Sequence, residues 1–474
     1  MGVIGGGAMR TLPDSMSDAE VFAELERYAS GDLDPHTRRM WGHIYYAGLS
    51  DVVEIARRAY TMFMDKTMLD FTVYPSILRM ENDVVAMTAS LLNSDDSVVG
   101  NFTYGGTESI MLALKAARDY FKKKKGENGE VILPSTAHPA FYKSAEFLGL
   151  KPVRVGLDDD LKASVEEVKE AVSKKTAMIV GSAPNYPFGV MDDIKALSEI
   201  AQDRKIWMHV DACLGGFVLP FFRKLGEKVP DFDFSLEGVS SISADLHKYG
   251  YAPRGASVLL HRGSELRENH VFVMASWPGY PIVNTAVLST RSAGTLAASW
   301  AVMHYLGEKG YLRLSEMILK AKRKLIKELP SIGLELIGKP EGSVLAFTSE
   351  LNVFRISSIM AEKGWYVQSQ PGSKHLNFPK SLHFSVNPGH AEVVDSFVQD
   401  MKDAVEKAKG SEEIDLSSFM TGDMDIISSL GISEGELPEN MEMINELIHV
   451  MPPEVVEEIF RKIVNEMLFK PSRY

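Results

Sequence analysis

One loop of this chain carries a lysine in a setting suited to chemistry. Ser243, Ala244, Asp245, Leu246, His247, Lys248, Tyr249, Gly250, Tyr251, Ala252, Pro253, Arg254 and Gly255 lie between two strand-like runs, Val239 to Ser243 and Ser257 to Leu260. A lysine in a polar loop is ordinarily a solvated surface group. Here a histidine precedes it and small residues surround it. An acidic motif with paired glycines, Asp211 to Gly216, lies upstream. Such a lysine can form a Schiff base with an aldehyde cofactor. A second stretch, Thr103-Tyr104-Gly105-Gly106-Thr107-Glu108-Ser109, leads an extended run into a long helix. Its glycines let the backbone approach a ligand, and the helix start offers free N–H groups to a phosphate. Taken alone, that turn reads better as an ordinary helix start capped by Thr107.

Pyridoxal phosphate asks four things of a protein: a lysine for its aldehyde, an anion site for its phosphate, a carboxylate at its pyridine nitrogen, and a flat group against its ring. Lys248 offers the first. Gly106, Thr107 and the helix start offer the second, with Ser243 and His247 as further candidates. Asp211 offers the third, because it ends an apolar strand where an unpaired carboxylate would be costly. His138 offers the fourth, though a lone histidine is more often structural. Tyr186 reads as a residue lining the site or as a packed core tyrosine.

Strands and helices alternate around these residues. Val131 to Leu133, Lys151 to Val155, Ala177 to Gly181 and Ile206 to Val210 read as strands. His138 to Leu148, Ser164 to Ser173 and Asp192 to Arg204 read as helices. This β-α alternation predicts an α/β large domain built on a mostly parallel sheet, with ligands at the carboxyl ends of its strands. Thr107, His138, Tyr186, Asp211 and Lys248 all follow a predicted strand closely. Gly294 to Leu306 and Tyr311 to Leu329 read as helices, the second leading into a smaller α+β C-terminal domain. The uncharged window from Val271 to Thr290 reads as a loop, and the segment from Val271 to Arg291 is a candidate to reach a neighbouring subunit's cofactor phosphate. The expected layout is an N-terminal arm over 1–55, a cofactor-binding large domain over 56–310, a small domain over 311–410, and a linker with a helical tail over 411–474.

The totals narrow the class. Hydrophobic content of 45% and charged content of 24% are those of a globular protein. A net charge of −13 disfavours nucleic acid and anionic membrane surfaces as partners. The single cysteine, Cys213, excludes an intrachain disulfide framework and a multi-cysteine zinc site. Met1 to Met9 lacks the basic and apolar regions of a secretory leader. A cytoplasmic enzyme without a membrane segment is the expectation.

Several motifs carry a family likeness. His209-Val210-Asp211-Ala212-Cys213-Leu214-Gly215-Gly216-Phe217 and Ser243-Ala244-Asp245-Leu246-His247-Lys248-Tyr249-Gly250-Tyr251-Ala252-Pro253 resemble the sphingosine-1-phosphate lyases, within the group II pyridoxal-phosphate decarboxylases. Gly105 to Ser109, Ala137-His138 with Ala140-Phe141, and Leu382-His383-Phe384 extend the likeness over roughly residues 40–408. It implies a pyridoxal-phosphate-dependent transferase fold of type I, and a homodimer with shared sites. It also implies Lys248 as the Schiff-base lysine, Asp211 at the pyridine nitrogen and His138 stacked on the ring. The activity it implies is cleavage of a phosphorylated long-chain amino alcohol, with amino-acid decarboxylation as the alternative. Tyr46 matches the tyrosine that holds substrate phosphate in the lyases, and Arg254 stands where they carry a lysine. Thr67 and Asp70 replace their Asn and His, and Ser289-Thr290-Arg291-Ser292-Ala293 replaces their Gly-Ser-Arg-Pro-Gly. The last two departures are closer to archaeal-type amino-acid decarboxylases.

Overall fold

A computed structural model describes residues 14–410 and 441–468. These divide into two compact units. The larger comprises Arg38–Gln370 and Ser381–Lys409; the smaller comprises the described residues of 1–37, 371–380 and 410–474.

The larger unit is organised by a seven-stranded sheet. Its strands are β1 (Val98–Thr103), β2 (Glu130–Pro134), β3 (Lys151–Val155), β4 (Thr176–Ser182), β5 (Trp207–Asp211), β6 (Ser241–Ala244) and β7 (Ser257–Arg262). They lie in the order β1-β7-β6-β5-β4-β2-β3. The pairs from β3 through β6 are parallel, whereas β7 runs antiparallel to both β6 and β1. β1 to β6 therefore share one direction, and the start of β7 meets the carboxyl ends of its neighbours. All residues of β4 and β5 are buried, as befits central strands covered on both faces. The predicted α/β sheet is thus present, with strand ends shifted by a few residues.

The 271–290 window contains more structure than expected. β8 (Phe272–Met274) and β9 (Ile282–Asn284) form an antiparallel ribbon there. Its apolar residues face outward, so no burial pattern marked it in the sequence. The two expected helices after it form one hydrogen-bonded stretch, Gly294–Glu328, broken at Gly307. Gly307 has φ 54° and ψ −175°, outside helical geometry and strained for a residue with a side chain.

A second, antiparallel sheet of β10 (Glu335–Leu336), β11 (Val344–Thr348), β12 (Gln368–Gln370) and β13 (Ser381–Ser385) has the order β10-β11-β13-β12. The sequence reading missed β12, which is short and polar. Trp41 is fully buried against this region, its ring 3.8 Å from that of His390 and 4.2 Å from that of Phe397. The 40–46 segment is thereby anchored within the larger unit.

In the smaller unit, Ser17 and Glu20 form a capping box at the start of helix Asp18–Ala29. The tail contains helices Glu442–Val450 and Pro453–Ile463. His449 Nδ1 lies 2.7 Å from the Pro371 carbonyl, and Lys380 pairs with Glu446. The expected linker beyond Gly410, and the tail's residues 438–440 and Phe469, lie outside the described residues. No helix among the described residues is long and apolar enough to cross a membrane.

Candidate active site

The carboxyl edge of the large sheet holds a cavity of about 280 Å³. Tyr104 to Thr107 enter it from the end of β1, His138 follows β2, Asp211 ends β5, Asp245 to Lys248 follow β6, and Gly255 precedes β7. Gly106, Thr107, His138, Asp211, His247 and Lys248, picked from the sequence for one site, line this one cavity.

Buried hydroxyls fix the entry to the long helix. Ser109 Oγ lies 2.6 Å from Thr103 Oγ1 and 2.8 Å from Ser257 Oγ, and Ser257 reaches Ala244 O at 3.2 Å. The N-terminus of helix Gly106–Lys125 thus opens on the cavity, with the positive end of its dipole inward. A Cβ at Gly106 would stand 2.8 Å from an Asp245 carboxylate oxygen and 3.0 Å from Cys213 Sγ. Only glycine leaves this approach open. Glu108 braces the same turn, accepting from the N–H groups of Tyr104 and, at 2.7 Å, Val287.

Asp211 is 8% exposed and its Oδ1 accepts the Cys213 N–H at 3.1 Å. His138 Nδ1 accepts the Ala140 N–H at 3.1 Å, which orients the ring. Loss of solvent lowers its pKa, with the Asp211 carboxylate opposing. His247 Nδ1 lies 2.7 Å from the Ala256 carbonyl and Nε2 lies 3.7 Å from Asp245 Oδ2.

The sequence reading did not weigh Asp245, Tyr104 or Cys213. Asp245 is 2% exposed and its Oδ2 lies 3.0 Å from Lys248 Nζ. Burial acts against the Lys248 ammonium, but Asp245 foremost, with Cys213, Tyr45 and Asp211, outweighs it and raises the pKa. Burial likewise acts against the Asp245 carboxylate, and Lys248 then His247 hold its pKa below the usual range. The available signal was an acid three residues before the lysine. In Asp245→Asn only burial and weaker neighbours remain, so Lys248 is expected to lose its proton at lower pH. The pH dependence of Lys248 acylation in cofactor-free protein, read by peptide mass, checks this. An unmoved midpoint would show that Asp245 does not set the charge.

Four candidates lie outside this cavity's lining. Ser243 is buried, 3.2 Å from His209 Nε2 and 3.3 Å from Cys213 Sγ, behind the site. Tyr186 stacks on His383 at 4.4 Å and donates to Gln368 Oε1 at 2.8 Å. Burial pushes its pKa up to about 12. The Tyr46 N–H donates to Asn387 Oδ1 at 3.2 Å. Arg254 is exposed, adjoins the cavity through Gly255, donates to the His43 carbonyl, and lies 5.6 Å from the centre of the Tyr45 ring. Asp70 accepts from the Thr72 N–H at 2.9 Å and from the Thr72 hydroxyl at 2.6 Å.

The residues fit pyridoxal phosphate. They supply a buried amine, a carboxylate at a strand end, an imidazole, and a glycine cradle at a helix start that a side chain would fill.

Comparison with known proteins agrees. Residues 35–347 match the pyridoxal-dependent decarboxylase conserved domain. A sphingosine-1-phosphate lyase of Arabidopsis thaliana is 39% identical over 415 residues, covering 84% of this chain and 74% of that one. A probable L-aspartate decarboxylase of Pyrococcus furiosus is 34% identical over 372 residues, covering 78% and 97%. The solved sphingosine-1-phosphate lyase of Burkholderia pseudomallei superposes with a TM-score of 0.79 at 34% identity, covering 90% and 98%. With the motif set, the cavity and these relatives in agreement, the chain belongs to the pyridoxal-dependent decarboxylase family and is a pyridoxal-phosphate-dependent lyase.

Proposed function

We propose that this lyase cleaves a carbon–carbon bond in a phosphorylated long-chain amino alcohol, giving an aldehyde and an amine phosphate. The observation that carries the reading is Arg254. It stands beside the cavity against the 43–46 segment, and no carboxylate pairs with it among the described residues. Its guanidinium is available to a substrate anion, and arginine binds phosphate bidentately. Asp70, a carboxylate that would repel a phosphate if it faced the same pocket, is engaged by its own turn at Thr72 instead. The relatives named as sphingosine-1-phosphate lyases support the same substrate class.

In this reading Lys248 would present its amine to the cofactor aldehyde and Asp211 would face the pyridine nitrogen. His138 would lie against the ring, and Gly106, Thr107 and His247 would hold the cofactor phosphate, with Ser243 supporting the site from behind through His209 and Cys213. The bound cofactor supplies an electron sink for the pair left when the bond breaks. Tyr186 keeps its proton at neutral pH, so it acts as a donor rather than a base. Tyr46 and Arg254 take the substrate phosphate. The layout of arm over 1–55, large domain over 56–310, small domain over 311–410 and tail over 411–474, and a cytoplasmic setting, belong to the same proposal.

A second reading, amino-acid decarboxylation, is favoured by Asp70, by Ser289 to Ala293, and by the Pyrococcus relative. Product analysis separates the two: fatty aldehyde with an amine phosphate, or carbon dioxide with an amine. Arg254→Ala is expected to raise KM for a phosphorylated amino alcohol about 10- to 100-fold, with cofactor content unchanged. Carbon dioxide release from an amino acid, with no aldehyde from the amino alcohol, would install the second reading.

A homodimer is part of the proposal. Phe272, Val273, Trp277, Tyr280, Val283 and Leu288 are all exposed on the β8–β9 ribbon and its flanks, a patch larger than isolated surface residues make. Glu108 ties the residues after this ribbon to the helix start at the cavity. Sedimentation should give a dimer, and Val273→Glu with Val283→Glu should give a monomer that loses cofactor. A monomer that stays loaded and active would contradict the shared site.

A further inference from the structure

The opposite edge of the large sheet holds a second cavity, of about 410 Å³. Thr176, Ala177, Ile206 and Trp207, at the amino ends of β4 and β5, form part of its wall. Trp207 and Phe121 are buried there, and Tyr120 and Val172 extend the apolar surface. Five cations also line it: Lys124, Lys125, Lys174, Arg204 and Lys205. No carboxylate is among its lining residues.

The ordinary explanation is that basic residues collect at helix C-termini. Lys124 and Lys125 end helix Gly106–Lys125, and Arg204 ends helix Ile194–Arg204. That accounts for part of the charge only. Each helix end carries roughly half a negative charge, so these two helices and helix Val165–Ala171, which ends just before Val172, offset well under half of five cations. Some exposed lysines elsewhere are paired, Lys123 with Glu268, Lys151 with Glu130, Lys224 with Glu308 and Lys339 with Asp160, while others, such as Lys195, Lys309 and Lys327, make no ion pair among the described residues. Around this cavity no ion pair joins Lys125, Lys174, Arg204 or Lys205 to a carboxylate among the described residues. Lys205 also adopts φ 55°, a left-handed conformation normally left to glycine or asparagine at such a helix end.

We propose that this cavity is a second binding site, for a phosphate-bearing small molecule with an aromatic or apolar body. The cations take the phosphate, and the Tyr120, Val172 and Ile206 side takes the body. A nucleoside triphosphate and an alkyl phosphate share this chemistry. β5 links the two cavities directly, since Trp207 begins the strand and Asp211 ends it.

The test is calorimetric titration of the full-length, cofactor-loaded protein with ATP, with decyl phosphate below its micelle concentration, and with inorganic phosphate. ATP or decyl phosphate should bind at this site, and more weakly as salt rises. Lys174→Glu with Lys205→Glu should weaken that binding by about tenfold or more, about 1.4 kcal/mol. The cofactor's visible spectrum should stay as in wild type. Lys174→Gln with Lys205→Gln, which adds no charge, should show a smaller loss and guards against misfolding. Arg254→Ala should leave the binding intact, which separates this site from the catalytic one. Tighter binding of ATP assigns a nucleotide, and tighter binding of decyl phosphate assigns an amphiphile. Binding no stronger than that of inorganic phosphate, or binding unchanged in both double variants, would overturn the proposal.

Discussion

Lys248→Ala is expected to abolish turnover and the visible absorption of the bound cofactor. Lys248 is the one lysine lining the catalytic cavity, and its side chain is 17% exposed. In the proposed role alanine removes the amine that would meet the cofactor aldehyde, so the loss should be at least about 10³-fold. It also removes the partner of Asp245. Breaking a buried pair leaves an uncompensated charge, at a cost of about 3–5 kcal/mol. Inactivity alone is therefore ambiguous. Lys248→Arg resolves it, because arginine keeps a cation near Asp245 and cannot condense with an aldehyde under these conditions. Both variants should be inactive, while the melting temperature should fall mainly in the alanine variant. Borohydride treatment of the wild type should fix cofactor to the Lys248 peptide. Cofactor fixed to a different peptide, or a visible band persisting in either variant, would displace Lys248 from this role.

The parts of the site legible in the sequence are those set by local pattern. β4 and β5 are short runs of buried residues between turn formers, and the candidate site residues fall where such runs stop. Direction along the sheet then brings Gly106, His138, Asp211 and Lys248 to one edge. What stayed hidden depends on distant partners. Asp245 sits in the same motif as Lys248, yet its weight comes from burial and from a 3.0 Å approach that sequence does not display. Glu108 reads as an ordinary residue in a helix's first turn. Its bond to the Val287 N–H joins positions 179 residues apart. β12 is Gln368-Ser369-Gln370, a polar strand without alternation, and it matters because Gln368 receives the Tyr186 hydroxyl. The β8–β9 ribbon exposes its apolar side chains, so periodicity had no inside and outside to distinguish.

Asp211→Asn is expected to keep the fold and lose most of the turnover. The substitution conserves shape, and an asparagine Oδ1 can still accept the Cys213 N–H that Asp211 accepts at 3.1 Å. Only the charge goes. In the proposed role that charge holds a proton on the cofactor's pyridine nitrogen and so maintains the electron sink. Losing one such charge-assisted bond in a site with little solvent costs about 3–4 kcal/mol in the transition state, roughly 10²- to 10³-fold in turnover. The effect should fall on kcat more than on KM, since substrate contacts lie elsewhere. Two further readouts bear on the assignment. Asp211 raises the pKa values of both His138 and Lys248, so its neutral replacement should lower both. Nuclear magnetic resonance of His138 in cofactor-free protein should show the imidazole titrating at a lower pH in the variant. The bound cofactor should also show an absorption band that no longer reports a protonated ring nitrogen at neutral pH. Near-normal kcat with an unchanged spectrum would exclude Asp211 as the residue that sets the strength of the sink.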